Sequence, residues 1–144
     1  MALAYILSSP QGRISRSEFW AGFVVLALAA VAAASVILAT LGRTPAGRIG
    51  LILLVLVLLY PWFAVFAKRF QDRGRPGNQA IYAVAIGVVV AVLWIAGLFH
   101  PSVSGWLLVA ATVAVVGWYV VDLGTIAGMP GPNRYGPDPR HTRT

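Results

Sequence analysis

Four acidic and eleven basic side chains carry most of the chemistry open to this 144-residue chain. Most gather in three runs, GRISRSEFW at 12–20, KRFQDRGRPG at 68–77 and GPNRYGPDP at 131–139, with Arg43, Arg48, Asp122, Arg140 and Arg143 outside them. Arginine beside carboxylate is the pattern of planar, two-pronged recognition, in which a guanidinium fork grips a carboxylate or a phosphate. Catalysis would need other parts. No Ser-His-Asp set, paired buried carboxylates or phosphate-cradling glycine loop is present. Cysteine is absent, which removes disulfides, thiolate ligands and thiol nucleophiles. His100 and His141 are expected on opposite sides of a membrane, where they cannot share a metal. The reading is therefore non-enzymatic, with no metal and no cofactor.

The elements that position these charges are unusually apolar. The chain is 59% hydrophobic and 10% charged, against roughly a quarter charged in a soluble domain, and its mean hydropathy is +0.81. Residues 19–41, 49–67, 79–99 and 103–121 hold no Asp, Glu, Lys or Arg. Each is close to the ~20 residues that cross a bilayer as helix, and each is apolar on every side. In lipid, backbone groups must pair within the segment, which selects helix even for β-branched runs. Gly42, Pro45 and Gly47 break the first two spans, Gly74, Pro76 and Gly77 the second and third, and a 99–102 link the last two. Ser15 and Glu18 have the spacing of a capping box. Helices are predicted near 16–41, 48–70, 79–99 and 103–127, followed by an ordered C-terminal loop over 128–144, all in one domain, 1–144. Short connections make consecutive helices antiparallel, giving an all-α membrane protein, an up-down bundle of four transmembrane helices.

Orientation follows from the basic residues. Arg13, Arg16, Lys68, Arg69, Arg73, Arg75, Arg134, Arg140 and Arg143 lie on one side, and only Arg43 and Arg48 on the other. The positive-inside rule then puts both termini in the cytoplasm. It also accounts for the +7 formal charge without nucleic acid, which is not expected as a partner. The first seven residues, MALAYIL, have too short an apolar part for a cleavable signal and read as a short interfacial anchor. No span carries an ionisable group near its middle, so nothing suggests a transport relay. Asp122 falls at the cytoplasmic boundary and is expected to pair with a loop arginine. Pro61 lies inside the second span and removes the bond its amide would give the Val57 carbonyl, so a kink or local unwinding is expected there. Ala30 and Ala34 lie one turn apart and allow close helix approach.

With Pro61, the three charged runs resemble the domain-of-unknown-function 805 (DUF805) family of small bacterial inner-membrane proteins. That family shows a Gly-Arg-x-x-Arg-x-Glu-Phe-Trp start, a proline followed by a basic pair and an Asp-x-Gly loop, and a Gly-Pro-Asn-x-Tyr-Gly end. The matching positions are Gly12, Arg13, Arg16, Glu18, Phe19 and Trp20, then Pro61, Arg69, Asp72 and Gly74, then Gly131, Pro132, Asn133, Tyr135, Gly136 and Pro139. Two positions depart. Gln71 stands where the family's loop usually has histidine, and Asn78 and Gln79 follow where aromatics are common. The resemblance implies a bacterial inner-membrane location and this topology; the family has no established activity to carry over.

Together the three runs should form one cytoplasmic cap, with Arg13, Arg16, Glu18, Arg69, Asp72, Arg73, Asp122, Asn133 and Tyr135 as its candidate site residues. Bases exceed acids there, so the cap is expected to attract anions. These would be anionic lipid headgroups, an acidic face of a membrane-protein partner, or a small phosphorylated ligand. The prolines and glycines after Met129 predict a folded-back loop suited to docking. Two readings follow: an accessory or assembly module, and an anionic-lipid or phosphate-binding protein. A small transporter or channel working around Pro61 is a weaker third. Nothing in one dimension tells whether the cap is closed by its own salt bridges or left open.

Overall fold

The computed structural model describes residues 3–98 and 102–140. In order they form α1 (Leu3–Ser8), α2 (Arg16–Leu41), α3 (Pro45–Asp72), a 3-10 turn (Gly77–Gln79) that leads into α4 (Ala80–Ile95), and α5 (Val103–Gly124). Four of these segments are long and apolar enough to cross a membrane. The fold is an all-α, four-span arrangement, and the only β-pairing among the described residues is a single bridge between Asn133 and Gly136. His100, His141 and Arg143 lie outside the described residues.

Local chemistry sets the helix ends. The capping box closes as its spacing predicts: the Glu18 amide donates to Ser15 Oγ at 3.3 Å, and the Ser15 amide donates to Glu18 Oε2 at 2.8 Å. α3 starts at Pro45, earlier than its expected 48, because Thr44 caps it and Pro45 occupies the first turn. It runs unbroken through Pro61 to Asp72, so the expected unwinding there does not occur. α3 and α4 end alike. The Gly74 amide bonds the Gln71 carbonyl and the Arg75 amide bonds the Phe70 carbonyl; Gly97 and Leu98 repeat this on Trp94 and Leu93. Gly74 (φ 72°) and Gly97 (φ 74°) take the left-handed conformation that this ending demands. For that reason α4 stops at Ile95, short of the expected 99. α5 stops at Gly124, short of 127.

Packing is uneven along the bundle. α3 is the hub: α2 packs against it most extensively, then α4 and α1. The buried core, Ile6, Ile14, Phe19, Leu26, Val65, Ala67, Phe70, Ala80 and Leu123, lies mostly toward one end, where the loops 9–15 and 73–79 and the tail 125–140 also meet. There Phe19, Phe23, Trp62 and Phe66 interleave, with ring centroids 5.1–6.0 Å apart, the range in which aromatic pairs attract. α5 is tied at this end by Trp20 Nε1, which donates to the Gly124 carbonyl at 3.1 Å. Away from it, α2, α3, α4 and α5 stand apart around an apolar cavity of about 400 Å³. One end is built tightly and the other is left open.

Candidate functional site

The cap is assembled around Asp72, the last residue of α3. Arg13, in the stretch between α1 and α2, donates through Nε to Asp72 Oδ1 at 3.1 Å, and Arg69, one turn earlier on α3, pairs with Asp72 Oδ2. All three are buried: Arg13 3%, Arg69 0% and Asp72 3% exposed. Burying charge is tolerable only when every donor is met, and the remaining donors go to backbone carbonyls of the tail and of the last turn of α5. Arg13 reaches Met129 O at 2.6 Å and Gly131 O at 2.7 Å, and Arg69 reaches Leu123 O and Ile126 O. The Met129 amide returns a bond to the Asp72 carbonyl at 2.8 Å. Two arginines thus clamp the C-terminal segment over the end of α3.

The other cap residues extend the clamp. Asn133 Nδ2 donates to the Gln71 carbonyl at 3.0 Å while its Oδ1 accepts the Tyr135 amide at 2.8 Å, which fixes the turn carrying Tyr135. The Arg134 guanidinium lies 4.8 Å over the Tyr135 ring. Asp122, on the last turn of α5, pairs with Arg73, and with Arg75 at 3.1 Å, as the boundary position predicts. Glu18 is buried within its capping box. Arg16 is exposed and donates to the Thr125 carbonyl at 3.1 Å. Asp138 receives the Gly131 amide at 3.0 Å and a two-pronged grip from Arg140 at 2.9 and 2.6 Å. That side-chain bond from Arg140, with the Arg140 and Gly131 amides, holds the Asp138 carboxyl well below the usual carboxylate range; Asp138 in turn raises Arg140.

The structure brings Arg13, Arg69, Asp72, Asn133 and Tyr135 into one cluster and sets Arg73 with Asp122 beside it. Pro61 is not part of the cap and lies farther along α3. Gln71, at the family's histidine position, donates to the Pro10 carbonyl at 3.0 Å and fixes the α1–α2 connection; its Oε1 is buried without a hydrogen-bond partner. Two further contributors are Lys68, which the sequence places in the cap without naming it a site residue, and Gly128, which it does not signal. Lys68 is fully buried, donates to the Tyr5 carbonyl and lies 4.3 Å over the Tyr5 ring. Gly128 allows the tail to approach so closely that a Cβ there would fall 1.8 Å from Asp72 Oδ2. A run such as IAGMPGP signals a turn, but nothing in it signals that the turn abuts a carboxylate. A polar hollow of about 300 Å³ remains beside the clamp, lined by Ser15, Arg16, Ser17, Arg69, Asp72 and Arg140.

Known proteins are similar to this chain over nearly its full length. It is 30% identical over 148 aligned positions to the "Uncharacterized protein YiiR" of Escherichia coli (strain K12), covering 96% of this chain and 90% of the relative. It is 26% identical over 132 positions to the "Inner membrane protein YhaH" of the same organism, covering 90% and 86%. No solved structure matches. The family described as "Protein of unknown function (DUF805)" matches residues 7–137, from α1 through the clamped tail, and the chain belongs to that family.

Proposed function

We propose that this protein is a non-catalytic interaction module of the bacterial inner membrane, with both termini cytoplasmic, that docks an acidic face of another membrane protein onto its cap. One observation carries the reading: the tail is clamped by buried Arg13 and Arg69, which makes the cap a preformed surface. Preformed surfaces lose little entropy on binding. The buried charges are consumed internally, so what the surface offers is its rim. Arg16 and Arg134 are exposed there and hydrogen-bond to backbone carbonyls, while Arg75 and Arg140 keep much of their surface in solvent. A phosphorylated ligand in the polar hollow is the second reading, favoured by the hollow itself; against it, the Arg69 donors that line it are already engaged.

The test is co-purification from native membranes by a tag on the full chain. The double reversal Arg16→Glu/Arg134→Glu should remove a stoichiometric partner that Arg16→Lys/Arg134→Lys retains, with the thermal midpoint of the purified protein unchanged. Undiminished recovery of the partner in the reversed variant, or no second protein with the wild type, would overturn the reading.

A further inference from the structure

We infer that the open half of the bundle is a lipid site, separate from the cap: one acyl chain of an anionic phospholipid lies in the cavity between the helices, and its phosphate sits between Arg43 and Arg48.

The cavity holds about 400 Å³, within the ~300–1,000 Å³ range of small-molecule sites. Its walls are apolar along their whole length, from Phe23, Trp62 and Phe66 near the cap to Leu51, Trp94 and Ile95 at the far end. A second hollow of about 50 Å³ continues it there: Leu51, Trp94 and Ile95 line both, and the added residues include Arg43 and Arg48. The cavity also adjoins an open surface between α4 and α5, where Gly87, Val90, Ala91, Trp94 and Val109 are the lining residues. An apolar slot with a cationic mouth and a side opening matches a lipid in shape and in charge.

The charge argument is the stronger. Among the described residues, Arg43 and Arg48 are the only Asp, Glu, Lys or Arg at this end of the bundle, since Glu18, Asp72, Asp122 and Asp138 all belong to the cap end. Neither guanidinium has a hydrogen bond or ion pair with a described residue. No carboxylate among the described residues is paired with them, so a counter-ion from outside fits, and a phosphate accepts two guanidinium forks at once. A partner helix is a poor alternative occupant. It is ~10 Å across with its side chains, whereas the interleaved aromatic side chains Phe23, Trp62 and Phe66 bound the slot at its cap end and leave room for a flexible chain.

The test uses the full chain in mild detergent, offered equal amounts of phosphatidylglycerol and phosphatidylcholine with identical acyl chains and read by native mass spectrometry. The wild type should retain one phosphatidylglycerol in preference to phosphatidylcholine. Arg43→Gln/Arg48→Gln should weaken that retention roughly thirtyfold, as expected for two basic residues near a lipid surface, and leave phosphatidylcholine unchanged. Gly87→Leu should fill the slot and abolish retention of both lipids with the arginines intact. Arg75→Gln at the cap should change nothing. The arginine variant remains decisive if Gly87→Leu misfolds, because both arginines are exposed and neither guanidinium bonds to a described residue. Equal retention of the two lipids, retention indifferent to Arg43 and Arg48, or a lipid-free dimer placing a second copy in the cavity would each overturn the inference.

Discussion

Asp72 accepts Arg13 on one carboxylate oxygen and Arg69 on the other, so two buried cations share one anion. The arrangement holds because carbonyls absorb the remaining guanidinium donors. Asp72→Asn would leave both arginines buried without a counter-charge, a defect that costs about 3–5 kcal/mol. Asp122→Asn should cost less, since one of its two partners, Arg75, is 45% exposed and the other, Arg73, keeps its bond to the Asp122 carbonyl. Thermal midpoints of the two variants in one detergent check the ordering, and equal losses would show that the centre of the cap is hydrated. Gly128→Ala tests the same centre by shape: its Cβ would meet Asp72 Oδ2 at 1.8 Å, so the tail must lift, with an expected cost of about 1–3 kcal/mol. A midpoint equal to wild type would mean that the tail is not pressed against Asp72. The charges in this cluster could be read from the sequence. Their acceptors could not, because a backbone carbonyl carries no residue-type signature and any residue of the tail supplies one.

Elements repeat that division between local and distant information. The capping box on α2 was legible because its partners are three residues apart. The Thr44-Pro45 start of α3 and the Gly97 end of α4 were written just as locally, but charge-free length masked them: hydropathy reports what lipid tolerates, whereas caps and left-handed glycines decide where the helix stops. The cap-end crowding of aromatics could not be read, since each ring meets a partner from another helix. The tail is the element whose stability should depend on pH. Asp138 ionises below the usual carboxylate range in the folded protein, so its contribution is complete above the unfolded value, ~3.9, and disappears as pH falls through its lower folded value. Amide hydrogen exchange at 131–140 should therefore be flat from neutral pH to about pH 5 once corrected for intrinsic rates, and should rise only in stronger acid. Asp138→Asn should exchange quickly throughout. Loosening of the wild-type tail between pH 5 and 7 would assign the clamp to another group.

At the scale of the whole molecule, one end is packed and charged while the other is open and nearly uncharged. Among the described residues, eight of the ten basic side chains and all four acids lie at the cap end. The cap uses many of these bases internally, which invites the objection that they cannot also direct insertion. Insertion precedes the closed cap, however, and the rule counts Lys and Arg near the ends of the spans with little regard to neighbouring acids. The expected outcome is a cap in the cytoplasm. The chain has no native cysteine, so a single introduced thiol reports its own side. In intact cells with a permeable outer envelope, an impermeant maleimide should label Ala46→Cys, in the first turn of α3 and exposed. It should label Arg134→Cys only after the inner membrane is opened. The reverse pattern would turn the cap outward and remove the cytoplasmic partner proposed for it. The lipid site would stand, because its argument depends on which end of the molecule holds Arg43 and Arg48 and not on which side of the membrane that end faces.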